Sequence, residues 1–551
     1  MIDPKFPELT NLQVEKLKAY GTIEFYEKPT VVLDFGDQHY DFFVVLAGGI
    51  KIIDPDKKDD NITIHRKHQF SGSSSILSHR TVGVCGETLE NTQLIRINPE
   101  KLKSAIAKFS DISDVLLNAF LLREDALKNN VQGIKLIGSE HSNETYAIRD
   151  FMDKNDIWYK FIDSDKEEGL VQLLETFSLT TEDLPVLINS QNEIAIRPSI
   201  DEIGECSGVR IKLDDEVYDV LVVGAGPAGL AASVYASSEG LKVLTIDSNS
   251  PGGQAGKSSK IENYLGFPTG ISGRDLANNG YIQAQKFGCT ISVPHRVEGI
   301  ECKDNLYYVH ASNTSTLKAK SVIAATGAAY RRLPLEGIQK FEGSGIYYSA
   351  TSMHANMCKN GEIGIVGGGN SAGQAALFLA NFASKIYVII RNEDIGAKMS
   401  DYLVQRIIAC ENIEVLTNSN VVKVEGDTYL EKVEIKQKDA LVKNEIIYLF
   451  TFVGAKPCTE WLDNIIDTDE KGFVHTGLTI CNNALNSEPE FSERKPYTFE
   501  TSLPGLFAVG DVRSGSVKRV ASAVGEGSIV VSDIHKFLAQ EKFTNTAIKN
   551  S

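Results

Sequence analysis

One pattern constrains this chain more than any other: a buried-strand run that ends in spaced glycines and opens a helix, and it occurs twice. Tyr218-Asp-Val-Leu-Val-Val223 leads into Gly224-Ala-Gly226-Pro-Ala-Gly229. Glycines so spaced allow a tight turn, close backbone approach to a pyrophosphate and tight helix–strand packing. The amides that open the helix then face the phosphates. Asp247 follows 23 residues after Gly224, at the end of the next strand, where an acid would accept from a ribose hydroxyl. The plainer reading is a structural glycine turn with a surface Asp; the strand–turn–helix context favours a nucleotide.

The second occurrence is the strand run 362–366 followed by Gly367-Gly-Gly369-Asn370-Ser371-Ala372 and a helical stretch over 372–383. Here the residue 23 after the first glycine is Ile390, and Arg391 follows it. A ribose 2′-hydroxyl loses its acceptor, and a 2′-phosphate gains a partner. The pattern therefore prefers NADPH over NADH, the alternative being that Arg391 is only a solvated strand-end charge. A third signature is Gly505-Leu-Phe-Ala-Val-Gly510-Asp511, followed by the long helix that Arg519-Val-Ala521 opens. An Asp after a buried strand, beside a helix N-terminus, suits the polyol hydroxyls of a flavin side chain.

At about 100–200 residues per domain, 551 residues predict about three to five domains. The 73 acidic and 56 basic residues give a net charge of -17, which disfavours nucleic acid or an anionic membrane as partner. No apolar run approaches the ~20 residues of a membrane span, and MIDPKFPELT has neither the basic start nor the apolar core of a signal peptide. The eight cysteines, at 85, 206, 289, 302, 358, 410, 458 and 481, include no pair three apart. A disulfide scaffold and a thiolate metal site are both disfavoured, and a reduced, cytoplasmic protein without metal is expected.

Residues from about 215 to 540 resemble low-molecular-weight thioredoxin reductases, which are flavoproteins with two dinucleotide folds. The matching pieces are the two glycine loops, Gly252-Gly253-Gln254, Ile261-Glu-Asn263-Tyr264, Ala325-Thr326-Gly327 and Gly510-Asp511. The resemblance implies FAD held by Gly224, Gly226, Gly229, Asp247, Gly253, Gln254, Asn263, Thr326, Gly327, Gly510, Asp511 and Ala521. It implies NADPH held by Gly367, Gly369, Asn370, Ser371, Ala372 and Arg391, and a homodimer. It also implies that an NAD(P)H domain, 331–454, is inserted into an FAD domain made of 213–330 and 455–551, with Ala325-Thr-Gly327 leaving and Phe452-Val-Gly454 returning.

The chain departs from the family at its redox centre. Where the family carries CxxC, Tyr348-Ser349-Ala-Thr-Ser352 has two serines. A hydroxyl cannot form or exchange a disulfide. Cys358 is the nearest thiol and a weak catalytic candidate, since a lone loop cysteine is mostly packing. The family's Arg pair is reduced to Arg391-Asn392, and its large domain rotation loses its dithiol partner. What remains is hydride transfer from NADPH to FAD, with the acceptor open: a quinone, oxygen, an iron–sulfur protein or a disulfide. Two alternatives stay beside this one. One is a thioredoxin-disulfide reductase working through partner thiols or Cys358 on a thioredoxin-like partner. The other is a redox or cyclic-nucleotide sensor or adaptor.

Before the reductase region, residues 1–130 show short β runs and then a helical stretch from Pro99 through Leu122. They resemble a β-roll cyclic-nucleotide-binding domain, with Asp41-Phe-Phe-Val-Val-Leu-Ala-Gly48 as strand and turn. The phosphate cassette would fall on Gly72, Arg80 and Thr81, but Ser73 stands where a ribose-binding Glu belongs. A roll kept for interaction is favoured over a working sensor. Residues 131–212 read as a βαβαβ unit and resemble a thioredoxin or glutaredoxin fold, with Leu184-Pro185-Val186 as its cis-proline turn. Its dithiol would sit near Gly138-Ser-Glu-His141-Ser142, where there is no cysteine and His141 is expected in an exposed loop. The predicted class is thus multi-domain α/β: two Rossmann-like domains preceded by a thioredoxin-like domain and a β-roll.

Overall fold

A computed structural model describes residues 3–37, 40–53, 61–78, 82–127, 134–189, 193–312, 316–438, 440–462, 465–486 and 490–549.

The N-terminal unit has two antiparallel sheets. One runs in the order Thr22–Tyr26, Thr92–Ile97, Phe42–Ala47, and the other Val31–Leu33, Cys85–Thr88, Ile50–Ile53, Asn61–His65. Phe42 to Val45 are all buried, as a strand covered on both faces requires. The predicted 99–122 helix is two helices, Pro99–Lys108 and Ser110–Leu127. Phe109 between them is extended, and its ring meets Tyr20 edge-on with centroids 6.0 Å apart. Ser110 and Asp111 then restart the helix with the short polar residues that favour helix beginnings. Arg123 folds the second helix back on the roll by donating to the carbonyls of Lys5, Phe70 and Gly72.

The next unit has a four-stranded sheet in the order Ile194–Ile196, Val186–Ile188, Lys135–Gly138, Lys160–Asp163. Its first two strands in sequence are parallel, as a βαβ reading requires. Its third is antiparallel to the first, and a fourth, Ile194–Ile196, completes the edge. Pro185 follows a cis peptide bond.

In residues 213–551, Thr290–Ser292, Val243–Ile246, Val217–Val223 and Leu317–Ala324 form a parallel core. Leu506–Ala508 pairs in parallel with Leu317–Ala324, so a strand from the far end of the chain finishes a sheet begun before the insertion. The hairpin Val297–Lys303/Leu306–Ala311 pairs with the first half of Leu317–Ala324 on that same side; its turn residues Asp304 and Asn305 both have positive φ, which short polar side chains tolerate. The inserted unit has a five-stranded parallel sheet in the order Ile346–Tyr347, Tyr448–Thr451, Glu362–Val366, Lys385–Ile389, Ile413–Leu416. A three-stranded antiparallel flap, Ser419–Glu425, Lys432–Gln437 and Ala440–Asn444, covers one side. The two chain crossings, Ala328–Arg331 and Val453–Pro457, pair antiparallel as a ribbon.

Residues 134–212 touch both nucleotide units. Toward the first, Arg274 pairs with Asp156, its Nε 2.8 Å from Oδ1, and Asn155 Nδ2 donates to the Asn249 carbonyl at 3.1 Å. Toward the inserted unit, the Tyr146 hydroxyl lies 3.1 Å from His354 Nε2. The Tyr146 ring meets Tyr347 at 5.3 Å. His141, expected in an exposed loop, instead stacks on Tyr429 of the flap at 4.8 Å.

Candidate functional site

The first glycine loop takes the form its spacing predicts. Gly224 has φ +109°, and a Cβ there would stand 2.4 Å from the Ala325 carbonyl oxygen. Gly229 lies against the Gly224 carbonyl, where a Cβ would come within 1.8 Å. Gly226 is different: a Cβ there would meet only the Gly253 Cα at 3.9 Å. The two glycines face each other and leave room at the start of helix Pro227–Ser238. Asp247 closes the loop, accepting from the amides of Ala225 at 2.8 Å, Asn249 at 2.9 Å and Ser250 at 3.3 Å. Burial raises its pKa against those three donors. Three of its roughly four lone-pair directions are taken, which leaves one for a ligand.

Asp511 is the clearer ligand acceptor. Its carboxylate takes no hydrogen bond among the described residues, while its backbone carbonyl receives Lys518 Nζ. Burial raises its pKa. Gly510 before it has φ +76° and donates its amide to Glu526 Oε2 at 2.6 Å, and Arg513 braces the same carboxylate. Ala521 lies exposed at the start of helix Val520–Lys549. Gln254 and Asn263 are exposed on the segment after the glycine pair. Thr326 is less free than the resemblance implies, since its hydroxyl donates to the Cys458 carbonyl at 2.7 Å and ties outgoing to returning strand. Gly327 accepts from the Cys458 amide in the same crossing, with φ +64°. A half-buried acceptor without a donor and a cradle that only glycine leaves open fit a dinucleotide with a polyol chain.

The second loop repeats the cradle. Gly367 has φ +140°, and nothing lies within 4 Å of a Cβ built on Gly369, the N-cap of helix Asn370–Leu379. Asn370 Oδ1 accepts the Ser400 amide, the Ser371 hydroxyl accepts from Tyr330 at 2.8 Å, and Ala372 is buried. Arg391 is exposed at the end of strand Lys385–Ile389 and makes no ion pair among the described residues.

Ser349 and Ser352 occupy the turn between the sheet and helix Ser352–Met357. Ser349 is buried and borders a narrow cleft of about 50 Å³ between the nucleotide units, with Gln254, Lys257, Tyr330, Ser371 and Phe452. Ser352 borders a chamber of about 200 Å³ that also meets the 134–212 unit. Lys257, Ser258 and Ser259 line both spaces. Burial pushes the Lys257 ammonium down to about 8. Cys358 is buried, and burial pushes its thiol up to about 12, the reverse of what a thiolate nucleophile needs. Ser142 is an N-cap, accepting from the Thr145 amide.

Sequence reasoning passed over His354. It is fully buried, its Nδ1 takes the Thr351 amide at 3.2 Å, and burial holds its pKa down to about 3. It is therefore neutral, with Nε2–H facing Tyr146. The only signal was a capping pattern at Thr351 with an unusual His three residues on. Lys257 and Tyr330 left no signal beyond their places near the glycine pair and in a crossing strand. In the N-terminal unit, Gly72 has φ +114° and its carbonyl accepts from Arg123; Arg80 and Thr81 lie outside the described residues.

A sequence model of the family described as pyridine nucleotide-disulphide oxidoreductase matches residues 218–527. Thioredoxin reductase from Mycoplasmopsis pulmonis is 34% identical over 317 residues, covering 57% of this chain and 95% of that one. The Bacillus subtilis thioredoxin reductase is 30% identical over 341 residues, covering 61% and 99%. Among solved structures, Lactococcus lactis thioredoxin reductase in its FR conformation superposes with a TM-score of 0.52 at 28% identity, over 59% of this chain and 99% of that one. Through its C-terminal region, carrying both glycine loops and the ribbon between them, this chain belongs to the pyridine nucleotide-disulphide oxidoreductase family, in its thioredoxin reductase-type branch.

Proposed function

We propose that the protein is an FAD-dependent NAD(P)H oxidoreductase that passes electrons from NADPH to an acceptor without an internal dithiol. The observation that carries this is the pair of glycine cradles, one beside the unengaged Asp511 carboxylate and the other beside the free Arg391 guanidinium. FAD would be held by the Gly224–Gly229 loop, Asp247, Gly253, Gln254, Asn263, Gly510, Asp511 and Ala521. NADPH would be held by the Gly367–Ala372 loop and Arg391. Bound there, FAD supplies two-electron acceptance from a nicotinamide.

The chain's own groups orient and exclude. Glycines let backbone amides reach pyrophosphate oxygens. Asp511 accepts polyol hydroxyls, and Arg391 pairs with a ribose phosphate. Tyr330, donating to Ser371, fastens a crossing strand to the helix start beside the second loop. Ser349 and Ser352 cannot exchange with a disulfide, and Cys358, buried with its thiol raised, is packing rather than the resolving thiol of a reductase. This disfavours disulfide reduction by the chain's own cysteines, and a thioredoxin-like partner would have to supply its own thiols. The thioredoxin and β-roll readings of 131–212 and 1–130 are supported by their sheet orders. Both are read as interaction units, the second without cyclic-nucleotide sensing, in a cytoplasmic homodimer. Calorimetry with cyclic AMP and cyclic GMP tests the last point, and submicromolar affinity would overturn it.

Anaerobic stopped-flow mixing of the yellow holoprotein with NADPH tests the main reading. Rapid bleaching of flavin absorbance is expected, faster than with NADH. A holoprotein that neither nucleotide bleaches would be no such enzyme.

A further inference from the structure

We propose that the chamber where the three units meet is the acceptor site, and that its acceptor is a small quinone. The inference rests on the oxidoreductase reading and goes on to name the substrate class. Lys257, Ser258 and Ser259 form a wall shared by the chamber and the cleft between the nucleotide units, so whatever occupies the chamber adjoins that cleft. The remaining lining falls into an apolar part and a charged part.

Pro251, Ala277, Met353 and Phe378 give the apolar surface. Most of the charges are already committed within the protein. Lys154 is paired with Asp150 and Arg274 with Asp156, and Asp153 is bonded by the Tyr159 hydroxyl. Lys257 alone among the lining cations has no hydrogen-bond or ion-pair partner among the described residues. Ser258, Ser259 and Ser352 line the same space. A chamber with an apolar part, one uncommitted cation and hydroxyls in its wall suits a flat ring whose carbonyl oxygens gain negative charge on reduction.

The competing acceptors fit less well. No cysteine lines the chamber, so a disulfide would find no thiol to exchange with. A protein acceptor is too large to enter about 200 Å³, and Ser349 is buried. Tyr146 packs on Tyr347 and His354, and His141 stacks on Tyr429. Molecular oxygen would not require a cation and hydroxyls in its site.

The net reaction balances with the reductant already proposed. NADPH gives up hydride as its C–H bond breaks and becomes NADP⁺. The quinone takes those two electrons, the hydrogen and one proton from water, forms two O–H bonds and leaves as hydroquinone. Lys257 stabilises the oxygen on which charge develops.

The test uses menadione with oxidised, full-length holoprotein. Equilibrium dialysis reads binding without turnover, and anaerobic mixing of the NADPH-bleached protein reads re-oxidation. Saturable binding is expected, weakened about tenfold or more by Lys257→Met, as loss of a charged hydrogen bond implies, and recovered in Lys257→Arg. Ser259→Phe, which fills the chamber from a second position, is expected to abolish it. Equal affinity in wild type, Lys257→Met and Ser259→Phe would overturn the site. So would a protein that NADPH bleaches but menadione neither binds nor re-oxidises, although the oxidoreductase reading would then stand. Menadione binding with no bleaching by NADPH would sink the oxidoreductase reading, and the acceptor role with it.

Discussion

Arg391 and Cys358 show how differently single residues read before and after folding. Arg391 stands where the sequence places it, free at a strand end. Arg391→Ala is therefore expected to raise KM for NADPH about tenfold, as loss of one charge-assisted phosphate contact implies, and to leave KM for NADH nearly unchanged. Steady-state kinetics with both nucleotides check this, and equal effects on the two would remove the residue from the phosphate site. Its neighbourhood in sequence makes Cys358 a weak nucleophile candidate. In the fold it packs with Tyr347, Ala355 and Phe450 in the inserted unit's core. With its thiol pushed up to about 12, it is expected to resist iodoacetamide at pH 8 while exposed Cys206, Cys302 and Cys481 react. Mass spectrometry of the labelled folded protein reads the outcome. Burial decides such cases, and burial depends on contacts between residues far apart in the chain, which spacing alone does not reveal.

Among elements, the glycine loops were legible because their demands are local. A positive φ, a turn and a helix start all fall within a few residues. The same geometry separates two substitutions that look alike on paper. Gly229→Ala drives a Cβ to 1.8 Å from the Gly224 carbonyl, so helix Pro227–Ser238 must move off its strand. A loss of at least ~2 kcal/mol is expected, with purified protein that holds little flavin. Gly369→Ala meets nothing within 4 Å, so the thermal midpoint should stay close to wild type while NADPH binding weakens, since the methyl occupies phosphate space. Calorimetric melting and flavin absorbance distinguish the two, and equal destabilisation would contradict the cradle geometry. Less local elements were less legible. The break at Phe109 depends on a ring contact with Tyr20, and strand Ile194–Ile196 depends on pairing with Val186–Ile188. Neither leaves a periodic trace in its own segment.

At the scale of the molecule, three buried imidazoles among the described residues lie in three different units. Burial lowers His65 to about 3, His295 to about 4 and His354 to about 3. Each is neutral when folded and titrates near 6.5 when unfolded, so the unfolded chain binds more protons between those values. The contribution is intact above pH 6.5 and is lost as pH falls toward 3, by up to ~1.4 kcal/mol per pH unit for each imidazole. The raised carboxyls of Asp153, Asp247 and Asp511 act in the opposite sense, so a paired comparison isolates the effect. Urea unfolding at pH 7 and pH 5 is expected to show a smaller loss in His354→Asn than in wild type, and identical losses would contradict a neutral buried ring. The Rossmann-type nucleotide folds were readable from their glycine motifs. The mutual docking of the units was not, because Tyr146 and His354 lie 208 residues apart.

That docking bears on movement. The inserted unit hangs from the rest by one two-stranded ribbon, a connection that by itself invites swivelling. Residues 134–212 grip both sides of that hinge at once, through Asp156 and Asn155 on one and Tyr146 and His141 on the other. That unit thus works as a bolt across a door, and cutting it away would free the pivot as well as shorten the protein.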